Sequence, residues 1–132
     1  MKRFFLLTLA SAALLGASAA PVKTYEVKSP DGRLALVLTA GERLSFTVAR
    51  DGETLVAPSE MALTLSTGEV LGESPRVRSA RRRAVTETID APLYRQSRFD
   101  AAYNEFDLRL RGDYGILARA YDDGVCYRFY TE

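Results

Sequence analysis

Residues 106–130 read FDLRLRGDYGILARAYDDGVCYRFY and carry the clearest structural signal in the sequence. Apolar residues alternate with polar ones in three successive runs, and the turn residues Gly112-Asp113 and Asp122-Asp123-Gly124 separate these runs. Alternation with a period of two is typical of β-strands that bury one face. This stretch therefore predicts three antiparallel strands joined by tight turns.

The same alternation recurs upstream in shorter runs that are bounded by turn residues. We expect strands over residues 24–28, 33–39, 43–50, 54–56, 61–66 and 84–89. Asp51-Gly52 is typical of a type I′ hairpin turn, and Pro58 is expected to end the short fourth strand. Because no stretch carries an apolar stripe at helical spacing, the sequence predicts an all-β, antiparallel β-sandwich.

The middle of the chain is less regular. Residues 68–83 are predicted to form a loop, with one short strand around Val77. Five arginines fall within or beside this segment: Arg76, Arg78, Arg81, Arg82 and Arg83. A phosphate-binding patch is one interpretation, but stacking aromatic residues are missing around the run. A solvated loop or an interdomain ion-pair surface is the favoured interpretation.

Composition excludes several classes of function. The chain has no histidine and a single cysteine, which excludes His-based zinc sites, Ser-His-Asp and Cys-His catalytic groups, and an internal disulfide. Lys and Arg total 18 against 17 Asp and Glu, a net charge of +1. This balance argues against nucleic acid as a partner, since nucleic-acid binding requires a broad basic surface.

The N-terminus has the layout of a secretory signal peptide. Lys2 and Arg3 precede an apolar run over residues 4–15, and small residues follow it up to Pro21. We expect cleavage after Ala19, so that residues 1–19 are the signal peptide and residues 20–132 form one domain. The apolar run is short for a transmembrane helix. The protein is therefore predicted to be exported, in the periplasm or secreted, with no membrane association after cleavage.

Two groups of carboxylates are candidates for chemistry. Glu105 and Asp107 are expected to share one face of a strand, and paired carboxylates serve glycosidases as acid and nucleophile or base. That face also holds Arg109 and Arg111, so the favoured interpretation is the solvent side of an amphipathic strand. Asp122-Asp123-Gly124 lacks the alternating oxygen ligands of a calcium loop and is interpreted as a turn.

Aromatic residues and the cysteine are the remaining candidates. Six of the seven tyrosines fall in the last third of the chain, and five of them are considered as candidates for stacking on sugar rings: Tyr94, Tyr103, Tyr121, Tyr127 and Tyr130. Aromatic residues in strands more often pack in the core or on a sheet face. Cys126 alternates with Val125 and Tyr127, and we interpret it as a small buried apolar residue.

The order of these motifs resembles the N-terminal domain of glycoside hydrolase family 97. Five segments carry the resemblance, behind the signal peptide and over nearly all of the mature chain: VKSPDGRL (27–34), LSFTVARDG (44–52), RRAVTET (82–88), YNEF (103–106) and RAYDDGVCYRF (119–129). The resemblance implies a β-super-sandwich related to the sugar-mutarotase fold. In the family it precedes a catalytic (β/α)8 barrel in exported, calcium-dependent α-glucosidases or α-galactosidases that act on oligosaccharides.

The resemblance also implies that the reactive centre lies elsewhere. In the family the catalytic carboxylates lie on the barrel, and the calcium ligands come from the barrel and the later part of the N-terminal domain. We therefore assign no catalytic, cofactor-binding or metal-binding residue in this chain. Because alternation still continues at Tyr130, we expect an incomplete domain with an open, association-prone edge. A stand-alone exported carbohydrate-binding or structural β-module is the alternative.

Overall fold

A computed structural model describes residues 21–93, 95 and 97–131. The proposed signal peptide and Tyr94 lie outside these residues. No helix in the described part of the chain is long and apolar enough to cross a membrane. The strands within it are β1 (Lys23–Lys28), β2 (Leu34–Ala40), β3 (Leu44–Arg50), β4 (Glu53–Glu60), β5 (Leu63–Thr64), β6 (Val70–Leu71), β7 (Val77–Asp90), β8 (Arg98–Leu110), β9 (Tyr114–Ala120) and β10 (Val125–Thr131).

The first sheet is an antiparallel meander in the order β1-β2-β3-β4. Its β3–β4 hairpin turns at Asp51 and Gly52, whose φ angles are 51° and 85°. Positive φ at both central residues is the conformation of a type I′ turn, so the hairpin prediction is confirmed. The Arg33 guanidinium holds this turn from β2's side, with Nη2 2.7 Å from the Asp51 carboxylate.

The second sheet has the order β10-β9-β8-β7, so β7 and β10 are its edge strands. β7 pairs with β8 from Val77 to Asp90, whereas β9 pairs with β8 only between Asn104 and Leu110. The far ends of β7 and β8 (85–90 and 98–103) therefore continue beyond β9 as a two-stranded β7–β8 ribbon. β10 pairs with β9 alone among the described strands.

The core lies between the two sheets. Alternate residues of β2 and β9 point into it, and Leu36, Leu38 and Ile116 are fully buried. Rings bridge the sheets, with centroids 5.5 Å apart for Tyr25 and Phe106. Burying a leucine or isoleucine side chain contributes roughly 1.5–3 kcal/mol, so this apolar layer is the main stabilising element. The prediction of an all-β antiparallel sandwich is confirmed.

Polar contacts also join the two sheets along one side. Arg82 lies on the inner side of β7, where its Nε donates to the Glu26 carbonyl at 3.1 Å. Asn104 Nδ2 donates to the Lys28 carbonyl at 2.8 Å. These contacts place β1 of the first sheet beside β7 and β8 of the second, and they satisfy carbonyls on the free edge of β1.

Two boundary predictions were wrong. Residues 68–83 are not one loop, because β6 occupies Val70–Leu71 and β7 begins at Val77 and runs to Asp90. Because this edge strand carries polar side chains on both faces, its sequence shows no alternation of apolar and polar residues. The fourth strand does not stop at Pro58 but continues to Glu60. Proline is tolerated there because β4 is an edge strand whose register with β3 shifts beside it.

Candidate functional site

The strand period places a row of polar and aromatic side chains on the face of the second sheet that points away from the core. We call this surface the outer face. β8 supplies Tyr103, Glu105 and Asp107 to it, while the alternate residues Phe106 and Leu108 enter the core. Tyr103 and Glu105 are nevertheless only 2% and 4% exposed. Side chains from β7 and β9 cover them, so the outer face is a packed polar network.

Glu105 is the centre of this network. Arg83 Nε lies 2.5 Å from one carboxylate oxygen, and Arg119 Nε lies 2.8 Å from the other. The two arginines come from the strands on either side, because Glu105 is paired with both in the ladder. Burial by itself raises the pKa of Glu105, but the hydrogen bonds and charges of the two arginines outweigh burial and lower that pKa.

Arg119 is held between an aromatic ring and the carboxylate. Its guanidinium carbon lies 4.5 Å from the centroid of Tyr103, a cation–π distance. Burial opposes its charge, but hydrogen bonds to Tyr121 and Glu105 outweigh that effect and raise the pKa of Arg119. The Tyr103 hydroxyl donates to Glu87 at 2.8 Å, and its ring lies 4.9 Å from Tyr121. Burial and the Glu87 bond raise the pKa of Tyr103.

Asp107 occupies the next position along the outer face. It accepts a hydrogen bond from the Tyr130 hydroxyl of edge strand β10, and Arg109 Nε lies 3.5 Å away. The Tyr130 ring crosses the backbone at Gly115, where a Cβ atom would lie 2.5 Å from the ring. Only glycine leaves room for this ring, so Gly115 allows β10 to reach Asp107.

The structure corrects one interpretation of the carboxylates and confirms another. Glu105 and Asp107 do share a face with Arg109, but Glu105 is not on a solvated surface because it is buried between two arginines. The Asp122 turn is confirmed, since Asp122 Oδ1 accepts the Asp31 N–H at 2.8 Å and Tyr121 N donates to the Gly124 carbonyl. The alternation of apolar and polar residues predicts that Glu105 and Asp107 share a face, but it does not indicate which side chains cover that face.

The arginines and the cysteine also differ from their predicted environments. Arg81, Arg82 and Arg83 are exposed, as predicted, but they lie within β7 instead of a loop and point alternately outward and inward. Cys126 is exposed, so its interpretation as buried was wrong. The alternation with Val125 and Tyr127 was correct, but it places Cys126 on the outer face. That face is not covered at the edge strand.

The tyrosines have mainly packing roles. Tyr103 is buried, and Tyr121 stacks on it. Tyr127 is 40% exposed, but its ring lies 5.2 Å from that of Phe46 on the inner side. Tyr130 covers Gly115. Of the tyrosines in the described residues, Tyr127 leaves the largest ring surface open to a ligand.

Glu105 does not have the environment of a general acid. A general acid in a glycosidase needs a raised pKa, whereas that of Glu105 is lowered and both its oxygens accept bonds from arginine. In residues 21–93, 95 and 97–131, no three His, Cys, Asp or Glu side chains converge as metal ligands.

Comparison with known proteins places this sandwich in a larger group. The family model described as Glycosyl-hydrolase 97 N-terminal matches residues 27–132. A retaining alpha-galactosidase from Bacteroides thetaiotaomicron is 36% identical over 110 residues, which are 83% of this chain and 17% of that protein. A Glycoside Hydrolase Family 97 enzyme from Pseudoalteromonas sp. strain K8, solved with acarbose, superposes with a TM-score of 0.72 at 17% identity.

That superposition covers 81% of this chain and 17% of the enzyme. A structure of a beta-arabinopyranosidase gives a TM-score of 0.71 at 18% identity, covering 80% of this chain and 18% of that one. The fold is thus that of an N-terminal β-sandwich domain of glycosidases. The chain belongs to the glycosyl-hydrolase 97 N-terminal family. It spans about a sixth of the length of these relatives.

Proposed function

We propose that this chain is the accessory N-terminal β-sandwich of an exported glycoside hydrolase of the α-glucosidase or α-galactosidase type. The family match over residues 27–132 is the observation that carries the proposal. The relative from Bacteroides thetaiotaomicron is a retaining alpha-galactosidase, which supports this class of activity for the whole enzyme. In this proposal a (β/α)8 barrel of the full-length enzyme carries catalysis, and the calcium of that enzyme is bound by the barrel and the later part of the N-terminal domain.

The chemistry of the described residues supports a role without catalysis. Retaining glycosidases use two carboxyl groups about 5–5.5 Å apart, one protonated and one free to attack the sugar. Glu105 has both oxygens bound to arginine, and Asp107 accepts a bond from Tyr130. These groups stabilise the sheet, and neither is free to serve as acid or nucleophile.

An activity assay on the purified chain tests this proposal. We expect no release of p-nitrophenol from p-nitrophenyl α-glucoside or α-galactoside, with the related Bacteroides thetaiotaomicron alpha-galactosidase as the positive control. Turnover that survives further purification would overturn the accessory role. If turnover is observed, Glu105→Gln identifies whether the buried carboxylate takes part in the reaction. A glutamate with a purely structural role is not expected to change kcat while the stability of the fold is unchanged.

Export is the second part of the proposal. The charged, apolar and small-residue segments at the N-terminus support cleavage after Ala19. Intact mass measurement on protein secreted by a bacterial host is expected to give a chain that begins at Ala20. A mature product that retains Met1 would exclude cleavage and favour a different location.

A stand-alone carbohydrate-binding module is the second candidate function. The partly exposed Tyr127 ring beside Phe46 is the feature that favours it, because sugars stack on aromatic rings. Titration calorimetry with panose tests this candidate. Saturable binding that Tyr127→Ala removes would support a carbohydrate-binding surface on this chain, whereas the absence of any heat of binding would contradict it.

A further inference from the structure

Three turns of the fold carry an aspartate followed by a glycine: Asp31-Gly32, Asp51-Gly52 and Asp123-Gly124. In such a dipeptide the side-chain carboxyl group can react with the backbone nitrogen of the glycine, because glycine has no Cβ atom to hinder the approach. The reaction requires a carboxyl group that is free to leave its hydrogen-bond partners. The structure holds the three aspartate side chains very differently.

The Asp31 and Asp51 carboxylates are both engaged in hydrogen bonds. Asp31 Oδ1 accepts from the Ser29 hydroxyl and from the Arg33 backbone N–H, which lies 3.0 Å away. The nitrogen at this turn is held as well, because the Gly32 N–H donates to the Ser29 carbonyl at 2.9 Å. Asp51 accepts from the Arg33 side chain, whose Nη2 lies 2.7 Å from one carboxylate oxygen. These hydrogen bonds lower the pKa of both carboxyl groups and so disfavour the protonated form that can lose its hydroxyl.

Asp123 differs from the other two aspartates. It is exposed in the turn between β9 and β10, and its carboxylate makes no hydrogen bond or ion pair with the described part of the chain. The neighbouring Asp122, not Asp123, accepts the Asp31 N–H at 2.8 Å. The Gly124 N–H meets no acceptor within residues 21–93, 95 and 97–131, although the Gly124 carbonyl accepts from Tyr121. Both reacting groups of this dipeptide are therefore free, at an exposed turn.

We propose that Asp123-Gly124 is a site of spontaneous covalent modification, at which aspartate isomerises to isoaspartate in the folded protein. The Gly124 nitrogen attacks the protonated side-chain carboxyl carbon of Asp123, and the carboxyl hydroxyl leaves as water together with the amide proton. A water molecule then opens the resulting succinimide at the backbone carbonyl of Asp123, which breaks the original bond to Gly124. The product has the mass of the parent chain, but its main chain runs through the Asp123 side chain and gains one carbon atom in the turn.

Ageing of the purified chain in neutral buffer, followed by tryptic peptide mapping, tests the site. Trypsin places the three dipeptides in separate peptides, residues 29–33, 51–76 and 120–128, and isoaspartate forms are separated by chromatography and identified by electron-transfer fragmentation. We expect isoaspartate at Asp123 to form at least about fivefold faster than at Asp31 or Asp51, which is the effect of one exposed ion pair. The chain unfolded in guanidinium chloride is the reference, where the three sites are expected to react at similar rates because no carboxylate is held.

Two variants test the reacting nitrogen and the retained carboxylate separately. Gly124→Ala keeps Asp123, and its added Cβ meets open space in the fold, but the methyl group hinders the attacking nitrogen. This variant is expected to lose most of the isoaspartate signal at Asp123. Arg33→Gln releases the Asp51 carboxylate and is expected to speed isoaspartate formation at Asp51 about fivefold, with the rate at Asp123 unchanged.

Four results would overturn the proposal. The first is isoaspartate formation in the folded protein at Asp31 or Asp51 as fast as at Asp123. The second is an Asp123 that stays unmodified in the folded protein over the time in which the unfolded chain reacts. The third and fourth are unchanged rates at Asp123 in Gly124→Ala and at Asp51 in Arg33→Gln. None of these measurements depends on glycoside hydrolysis, so failure here and failure of the accessory role are distinguishable.

Discussion

Replacing Glu105 by glutamine tests the central structural argument of the outer face. The substitution keeps the shape and one acceptor oxygen, but it places an NH2 donor against the Nε–H of one arginine. Glu105 is 4% exposed, so neither the lost bond nor the facing donors are relieved by water. We expect a loss of stability for the Glu105→Gln protein, with the larger part arising at Arg119, which is 31% exposed against 65% for Arg83.

The magnitude follows from the two hydrogen bonds of Glu105. A hydrogen bond to a charged group contributes about 1.5–3 kcal/mol, and removing one partner of a buried ion pair costs roughly 3–5 kcal/mol. Because Arg83 is open to solvent, its contact with Glu105 is screened and contributes the smaller share. We therefore expect Glu105→Gln to lower the free energy of unfolding by about 2–3 kcal/mol at pH 7.

The pH dependence has a definite sign. The pKa of Glu105 is lowered in the folded protein relative to its usual 4.5, so its contribution is fully present above pH 4.5. It is lost as the pH falls through the lowered folded pKa. Other carboxylates titrate in both proteins and cancel in the comparison. The difference in stability between the parent and Glu105→Gln is therefore constant above pH 5 or so and narrows below it.

Urea unfolding of both proteins at several pH values measures this difference. Glu60→Gln is the matched control, since the Arg43–Glu60 pair is exposed at both ends and its loss is expected to cost much less stability than the loss of the Glu105 carboxylate. Equal effects of the two substitutions would refute the argument that burial makes the Glu105 network strong. A difference in unfolding free energy between the parent and Glu105→Gln proteins that widens on acidification would contradict the lowered pKa of Glu105.

The remaining predictions concern the backbone, the core and the thiol. Gly72→Ala is expected to destabilise the fold by about 3–5 kcal/mol, because a Cβ at φ +100° would lie 2.2 Å from the Met61 carbonyl oxygen. Gly68→Ala, at φ +88°, meets open space and is expected to cost about 1–2 kcal/mol. Equal losses of stability for the two variants in urea unfolding would contradict this reasoning. Leu108→Ala removes a fully buried side chain and is expected to cost about 2–5 kcal/mol, while a loss under 1 kcal/mol would mean that the two sheets do not share this core. Cys126 is exposed and is expected to react with Ellman's reagent in the native protein as fast as in urea. A much slower reaction in the native protein would mean that the thiol is buried.

The alternation of residues 106–130 was sufficient to predict the end of β8, the strands β9 and β10 and the turns between them. Ile116, Ala118 and Ala120 are all buried, as their spacing predicts, and the turn between β9 and β10 lies at the Asp122 turn. Here one face is apolar and the other is mostly polar apart from Leu117, so the period of two is visible. Strand β7 lacks this contrast, because Arg81, Arg82 and Arg83 occupy both faces.

The candidate site was less accessible to prediction. The sequence shows that Glu105 and Asp107 share a face, but only the pairing of β8 with β7 and β9 brings Arg83 and Arg119 onto Glu105. Those arginines are 22 and 14 residues away in sequence, and no local spacing specifies their register. The burial of a carboxylate on an outward-facing surface is a tertiary property, which depends on which long side chains cover it.

The β7–β8 ribbon has a consequence for the mechanics of the molecule. Strand β8 has neighbours on both sides from Asn104 onward but a single neighbour between Arg98 and Tyr103. Two-stranded ribbons are marginally stable in water. The free energy needed to open β8 is therefore expected to be low in the ribbon and to rise steeply where β9 also pairs with β8. Residues 98–103 of β8 are therefore expected to open while residues 104–110 stay paired on both sides. Tyr103 lies at the junction, where it packs on Tyr121 and donates to Glu87, and we expect these contacts to limit how far such opening extends toward the core.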